Sequence, residues 1–371
     1  MSAAPLSVLH VEAGRHLYGG ALQVVYLLRG LQAAGVHNTL VCPVGSAVAV
    51  AAREAGVEVI ETAMGGDADL GFVLRLRRLI RRRRPDLVHL HSRRGADVLG
   101  GIAARLAGVP AVLTRRVDNP EPRWWVGLKY RLYQRVVSIS EGIRRVLIDE
   151  GLAPARVICV HSAVDTERYR PGCADRELPA RELGLTTGDG PLLAVVAQLI
   201  ARKGHRYLLE ALPGILAAQP DARVVLFGQG PLEDALRDEV ARRGLAERVV
   251  FAGFRDDLER LLPCLDLLVH PAEMEGLGVS LLQAAACGVP IVAFPAGGIP
   301  EIVREGENGH LLAVGDVAGL QRRVIELLQD PARARAMGRR GRALVEREFS
   351  IDSMVQGNLA VYRGLLAEGA R

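Results

Sequence analysis

Short β-branched runs alternate with longer amphipathic stretches over nearly the whole of this sequence, and no other feature restricts the fold so strongly. LSVLHVE (6–12) is followed by GALQVVYLLRGLQAAG (20–35). TLVCPV, VEVIET, LVHLH, AVLTRR, VVSIS and VICVHS come next, with helical segments between most of them. Strands joined through helices pair in parallel, so the pattern predicts an α/β chain whose sheet carries helices on both faces. Around PGCADRELPARELGLTTGDGP (171–191) the alternation pauses in Pro/Gly-rich, charged sequence. It restarts with LLAVVAQL (192–199), RVVLFG, RVVFAGF, DLLVHP and PIVAFP. A chain of 371 residues holds two ordinary domains. The boundaries predicted are 1–171 and 172–349, each a doubly wound Rossmann-like sheet. The tail 350–371 reads as one or two helices packing back on the first domain. Ligands of such sheets bind outside the carboxyl ends of the strands, so two domains facing one another would place a site in the cleft between them.

Composition narrows the function classes. The chain is 49% apolar and 24% charged, which is the profile of a globular protein. MSAAPLSVLHVEAG lacks the basic start and long apolar core of a signal peptide, and no run approaches the roughly 20 apolar residues of a membrane span. A cytoplasmic location is expected. The five cysteines, Cys42, Cys159, Cys173, Cys264 and Cys287, show no metal-site spacing and are expected to be reduced thiols. Of 47 basic residues only Lys129 and Lys203 are lysine, so a lysine that survives in so arginine-biased a chain marks a place for a compact ammonium. RLRRLIRRRRPD (75–86) has arginine at seven positions. Helical spacing puts Leu76, Leu79 and Ile80 on one side, leaving either a solvated basic face or a patch for an anionic membrane surface. With aromatics at 4% and no recognition motif, nucleic acid is not an expected partner.

Three loop-to-helix transitions could carry chemistry. GRHLYGGALQ puts Gly19 and Gly20 at a helix start, where free N–H groups suit an anion. LFGQGP places Gly228 after a strand, but Glu233 stands where a dinucleotide fingerprint needs its third glycine. In PAEMEGLGVSLLQAAACGVPIV (271–292) the strand ends at Pro271 and a helix begins near Gly278. The amides of Leu277, Gly278 and Val279, with the helix dipole, favour a phosphate. Glu275 beside such a phosphate would accept hydrogen bonds from hydroxyls, which suits a phosphorylated polyol such as a nucleotide sugar.

EGLGVSLLQAAACGVPIVAFPAGGIPEIV (275–303) resembles the donor-site signature of the family 4 retaining glycosyltransferases, which have the GT-B fold. YGGALQVVYLLRGL (18–31), PDLVHLHS (85–92), VVSISEGIRR (136–145), VICVHSAVD (157–165) and VAQLIARKGHRYLLEAL (196–212) resemble further family segments in the expected order. By position, the resemblance implies that Lys203 binds the donor diphosphate and that the backbone at Gly20 approaches it. Glu275 takes the sugar hydroxyls, and the amides from Gly276 to Val279 hold sugar and phosphate. His91 lies near the transferred sugar, while Phe254 and Arg255 sit where the family holds the base. Gly228 belongs to the same donor set. Two positions depart from the family. Gln283 replaces a second glutamate that holds the ribose, and Gln198 replaces an arginine on the diphosphate, for which Arg202 is a nearby substitute. Arg93, Arg94, Arg115 and Arg116 follow first-domain strands, where the resemblance puts the acceptor; they are either solvated arginines or contacts for an anionic acceptor such as a phosphorylated glycolipid.

Asp67 and Asp69 form an Asp-x-Asp, read as helix N-capping and not as a metal site. His89 is expected to point away from His91 and to be structural, and Trp124 and Trp125 to be packing residues, with contact to lipid as the alternative. The function expected is retaining transfer of a sugar from a nucleotide-sugar donor to a glycan or glycolipid hydroxyl, in lipopolysaccharide or surface-polysaccharide assembly. The acceptor is expected to be anionic, with no cofactor and no required metal, at the inner face of the membrane. The rivals are a nucleotide-sugar epimerase on the same fold and a degenerate, non-catalytic binding subunit.

Overall fold

The computed structural model of the chain describes residues 5–91, 96–173, 175, 178–184 and 190–369. Its contacts divide it into two compact units, Met1–Ala163 with Ile351–Arg371, and Val164–Ser350. The first unit thus ends eight residues before the expected 171, since Val164 already bonds to Phe349 and bridges to Ser350.

In the first unit β1 (Ser7–Val11), β2 (His37–Pro43), β3 (Glu58–Thr62), β4 (Leu87–Leu90), β5 (Ala111–Arg115), β6 (Arg135–Ser138) and β7 (Val157–Cys159) form one parallel sheet, ordered β3-β2-β1-β4-β5-β6-β7. Leu40, Val41, Leu87, Val88 and Val112 are fully buried, as continuous apolar runs require when helices cover both faces. The order reverses between β1 and β4, so the loops after these strands diverge and leave a crevice at their carboxyl ends. His10 lies in register with His89 across that pair.

The tail is one helix, Ile351–Gly369, whose Val355, Leu359 and Tyr362 share a core with Val8, Leu27 and Leu31. Gly30 makes this contact possible, because a Cβ there would lie 2.4 Å from Val355 Cγ2.

The second unit repeats the plan with β8 (Leu192–Val196), β9 (Arg223–Phe227), β10 (Val249–Gly253), β11 (Leu267–His270), β12 (Ile291–Ala293) and β13 (Gly309–Leu311), ordered β10-β9-β8-β11-β12-β13. Its switch point lies between β8 and β11. β13 escapes the sequence pattern: it has three residues, and its Gly309 sits so close to Ile291 O that a Cβ would come within 2.3 Å.

Two expectations are corrected here. Cys173 and Cys264 form a disulfide, with Cα atoms 4.8 Å apart, while Cys42, Cys159 and Cys287 are free. The pair is 91 residues apart in sequence, and only folding of the second unit joins the segment at Pro171–Cys173 to the turn Leu262–Cys264. Trp124 is not a packing residue. It is 73% exposed on the short helix Arg123–Lys129, edge-on to Trp125. Asp69 does cap the helix Leu70–Arg83, accepting from Phe72 N at 3.0 Å. On that helix Phe72, Val73, Leu76 and Ile80 are buried, Arg75 pairs with Asp69, and Arg83 pairs with Glu58. Arg78, Arg81, Arg82 and Arg84 are exposed, with no carboxylate partner among the described residues. No described helix is long and apolar enough to cross a membrane.

Candidate active site

In the second unit the loops after β8 and β11 carry the residues the sequence singled out. The β8 loop passes through a short 3-10 turn, Ala201–Lys203, and closes at Gly204 with φ +69°. Glycine is needed there, since a Cβ would lie 1.9 Å from Pro271 O. The close approach of these loops brings Lys203 Nζ to 2.6 Å from Glu275 Oε2, with the two side chains 12% and 17% exposed. His270, the last residue of β11, donates from Nε2 to the same oxygen at 3.1 Å, and Gly276 N donates to Oε1 at 3.1 Å. Burial alone would raise the Glu275 pKa. The hydrogen bond and charge of His270, with the charge of Lys203, outweigh it and carry the pKa down to about 2. Glu275 is therefore a carboxylate at any physiological pH. His205, one residue beyond Gly204, is 3% exposed, and its burial near His270 and Lys203 takes its pKa down to about 4.

Beyond Glu275 the chain turns through Gly278 at φ +98° into the helix Val279–Ala286. The amides of residues 277–280 donate to no backbone carbonyl among the described residues, whereas Leu281 N and Leu282 N return to Gly278 O. Four N–H groups left unused at a helix start are groups that can bind an anion. Gly297 packs so tightly on this turn that a Cβ would lie 1.6 Å from Glu275 O. Gln283, on the same helix, donates from Nε2 to Tyr169 OH at 2.9 Å, so its amide is held and its Oε1 is the remaining acceptor.

Gln198 is exposed on the β8 loop, and Gly228 packs on it: a Cβ at Gly228 would meet Ala197 O at 2.0 Å and Gln198 N at 3.5 Å. Arg202 is half-buried with no ion pair among the described residues. Phe254 is 57% exposed after the edge strand β10. Arg255 is tied up by Asp257 at 2.6 Å and Glu182 at 3.0 Å, which raise its pKa and leave it a poor candidate for a base contact.

In the first unit a cavity of about 320 Å³ opens at the carboxyl ends of β1, β4 and β5, lined among others by Glu12, Gly20, His91, Arg115, Arg116 and Lys129. Gly19 begins the helix Gly19–Ala33, which has no side-chain cap. The structure thus brings Gly20, His91, Arg115 and Arg116 together; Arg93 and Arg94 lie outside the described residues. Arg115 and Arg116 differ sharply. Arg115 is 3.2 Å from Glu121, which also accepts from Lys129 at 3.1 Å, and Lys129 reaches Asp97 at 2.6 Å. That quartet is neutral as a whole. Arg116 has no hydrogen bond or ion pair among the described residues. Burial lowers its pKa to about 10, opposed by the charge of Glu12.

His89 does not point away from His91. Residues two apart on a strand share a face, and the ring centroids are 3.9 Å apart. His89 is hydrogen-bonded at both nitrogens, to Thr114 Oγ1 at 2.6 Å and to Tyr362 OH at 2.5 Å, which fastens the C-terminal helix to β4. His10, His89 and His91 could bring donor atoms to one metal ion, all within 4.8 Å. Both nitrogens of His10 and of His89 are already committed to hydrogen bonds, so the trio does not fit a metal without breaking them.

Three residues of these sites escaped the sequence reading. His270 stands five residues before Glu275 at a strand end, the same place His91 holds in the first unit. Lys129 carried the same rarity as Lys203. His10 carried no signal beyond its in-register position.

The profile described as "Glycosyltransferase Family 4" matches residues 18–168, and "Glycosyl transferases group 1" matches residues 181–344. The 2-deoxystreptamine glucosyltransferase of Streptomyces kanamyceticus is 32% identical over 314 residues, 78% of this chain and 80% of that protein. The chain is a family 4 glycosyltransferase. Other relatives of this glycosyltransferase include the GDP-mannose-dependent monoacylated alpha-(1-6)-phosphatidylinositol monomannoside mannosyltransferase of Corynebacterium glutamicum. It is 37% identical over 52% of each chain. The lipopolysaccharide core biosynthesis mannosyltransferase LpsB of Rhizobium meliloti is 27% identical over 76% of this chain and 84% of its own. The fold is GT-B. Anabaena HepE in complex with UDP superposes with a TM-score of 0.85 at 20% identity, covering 97% of this chain and all of that one. A glycosyltransferase of Rickettsia africae superposes with a TM-score of 0.87 at 17% identity, covering 98% and 99%.

Proposed function

We propose that this glycosyltransferase moves a hexose-like sugar from a nucleotide-sugar donor to a hydroxyl of an anionic glycan or glycolipid, with retention of anomeric configuration. The observation that carries the reading is the pairing of Lys203 with Glu275 beside the free amides of residues 277–280. An ammonium and a helix N-terminus suit a diphosphate, and a carboxylate kept ionised suits sugar hydroxyls. One ligand satisfies both, and it is a sugar diphosphate. In the proposed step the bond from the anomeric carbon to the diphosphate breaks as the acceptor oxygen bonds to the same face. The acceptor's proton passes to the departing phosphate, whose charge builds on Lys203 and the helix end. These groups do the work assigned elsewhere to a cation, so no metal is required in this reading.

The names of the relatives support the donor class: GDP-mannose appears among them, and UDP is bound in a GT-B neighbour. Their names range from a 2-deoxystreptamine glucosyltransferase to a phosphatidylinositol monomannoside mannosyltransferase and a lipopolysaccharide core biosynthesis mannosyltransferase. Within that range the unpaired Arg116 favours an acceptor that brings its own negative charge. Lipopolysaccharide or surface-polysaccharide assembly is the expected setting. Arg78, Arg81 and Arg82 of the helix Leu70–Arg83, with Arg84 at its C-cap, would hold the enzyme to the anionic inner face of the membrane. A thermal-shift screen against common sugar nucleotides tests the donor half. A true donor at 100 times its Kd stabilises by about 2.7 kcal/mol, and a flat response to every sugar nucleotide refutes the reading.

A further inference from the structure

Trp124 is one of two tryptophans in a chain with 4% aromatic residues, and most of its surface faces outward. On the same helix, Arg123–Lys129, Leu128 is 57% exposed. Residues four apart share a helix face, so the two side chains make one outward apolar step. The opposite side is committed to the first unit: Val126 and Lys129 are buried, and Lys129 lines the cavity. A lone surface leucine is ordinary, but an exposed tryptophan beside it leaves one of the largest apolar side chains in water. The charges around the step are sorted by sign. Glu121 turns inward to Arg115 and Lys129, and the buried Glu150 accepts from Glu121 N at 2.5 Å. Arg123 and Arg131 are exposed on either side of the step, and Arg123 donates to Asp149 O at 2.8 Å. Asp118 is half-buried, and Asp149 is exposed.

The sheet order places this helix with the arginine-rich one. The connections from β3 to β4, β4 to β5 and β5 to β6 all run the same way along the sheet, and right-handed crossovers put their helices on one face. Leu70–Arg83 packs on the helix Ala96–Ala107, which packs on the turn Tyr130–Leu132 directly after Lys129. Along Leu70–Arg83 an outward stripe reads Leu70, Leu74, Arg78 and Arg82 at four-residue steps, all exposed. Both helices thus present large apolar side chains next to arginine, the composition of a surface that enters the headgroup region of an anionic leaflet.

We propose that Trp124 and Leu128 are an apolar anchor that enters the interface of an anionic bilayer on this face of the first unit. Insertion rests on the membrane reading above, in which arginines attract the leaflet, and adds a step to it. Tryptophan suits the task, because its ring is apolar while its indole N–H stays at headgroup level. Since Lys129 lines the cavity from the inner side of the same helix, the anchor sets the lipid surface beside that cavity.

The test uses the full chain with phosphatidylglycerol vesicles. Trp125→Phe leaves Trp124 as its one tryptophan. Its emission is expected to shift to the blue on vesicle addition and to be quenched by brominated acyl chains. Changing Trp124 and Leu128 together to serine, with an unchanged thermal transition, should weaken sedimentation with the vesicles about tenfold or more. High salt screens the arginines, so the binding that survives it in wild type should vanish in the double serine variant. Changing Arg78, Arg81, Arg82 and Arg84 to glutamine should raise the lipid needed while the Trp124 shift returns at saturation. Wild type that sediments with vesicles while Trp124 emission stays unshifted, or a double serine variant that binds as tightly, overturns insertion and leaves electrostatic attraction standing. No vesicle binding by wild type overturns both. A blue shift that follows protein concentration without lipid makes the occupant a second copy of the chain and overturns the bilayer assignment.

Discussion

Replacing Lys203 by methionine strips one partner from a carboxylate that the fold holds far from its ordinary state. Glu275 titrates at about 2 in place of 4.5. At 1.36 kcal/mol per unit, its partners together contribute about 3 kcal/mol to folding at neutral pH. Lys203 shares that task with His270 and with Gly276 N, which remain in the variant. The expected loss is therefore about 2 kcal/mol, below the roughly 3–5 kcal/mol of stripping a fully buried pair. A group whose folded pKa is depressed gives stability that is complete above its unfolded pKa and is lost as pH falls through the folded value. The gap between wild type and Lys203→Met should thus be constant from pH 8 to about 5 and narrow steadily toward pH 2. Urea unfolding followed by far-UV circular dichroism measures it. Both tryptophans lie in the first unit, so their fluorescence reports that unit separately. Transfer should fall by about 10² to 10³ in kcat, the scale for removing one donor to a developing anion. A stability gap unchanged between pH 7 and pH 3, or near-normal turnover, would refute the reasoning.

Four further outcomes follow from the same geometry. Gln283→Glu keeps its link to Tyr169, whose hydroxyl then donates, and offers a charged acceptor; nucleotide affinity by calorimetry should improve about fivefold. Arg116→Ala breaks no hydrogen bond or ion pair among the described residues but removes the charge that faces Glu12, so stability should change little while the acceptor KM increases about tenfold or more, the scale of one charged hydrogen bond. Changing Arg78, Arg81, Arg82 and Arg84 together to glutamine should weaken sedimentation with phosphatidylglycerol vesicles by about 1 kcal/mol per residue and leave transfer to a soluble acceptor unchanged. Reducing the Cys173–Cys264 bond, which closes a separation of 91 residues, should destabilise the second unit by up to about 4–5 kcal/mol, read as a shift in its urea midpoint.

The alternation of apolar runs and amphipathic stretches determined the two parallel sheets, because a strand buried on both faces needs a continuous apolar run and a helix needs a stripe. Glycines at forced positions, such as Gly278 at φ +98°, also showed in sequence, since a left-handed turn admits little else. Lys203 and Glu275 were legible as separate residues by rarity and by placement after strands. Their ion pair, 72 residues apart in the chain, was not, and neither were the disulfide, the neutralised Arg115 beside the unpaired Arg116, or the bond from His89 to Tyr362. The His10–His91 contact belongs with these. Periodicity records which face of an element is buried, whereas partners across strands depend on register and on which loops meet at a switch point. Those distances are set only when the sheets close, and with them the protonation and charge of every group in the site.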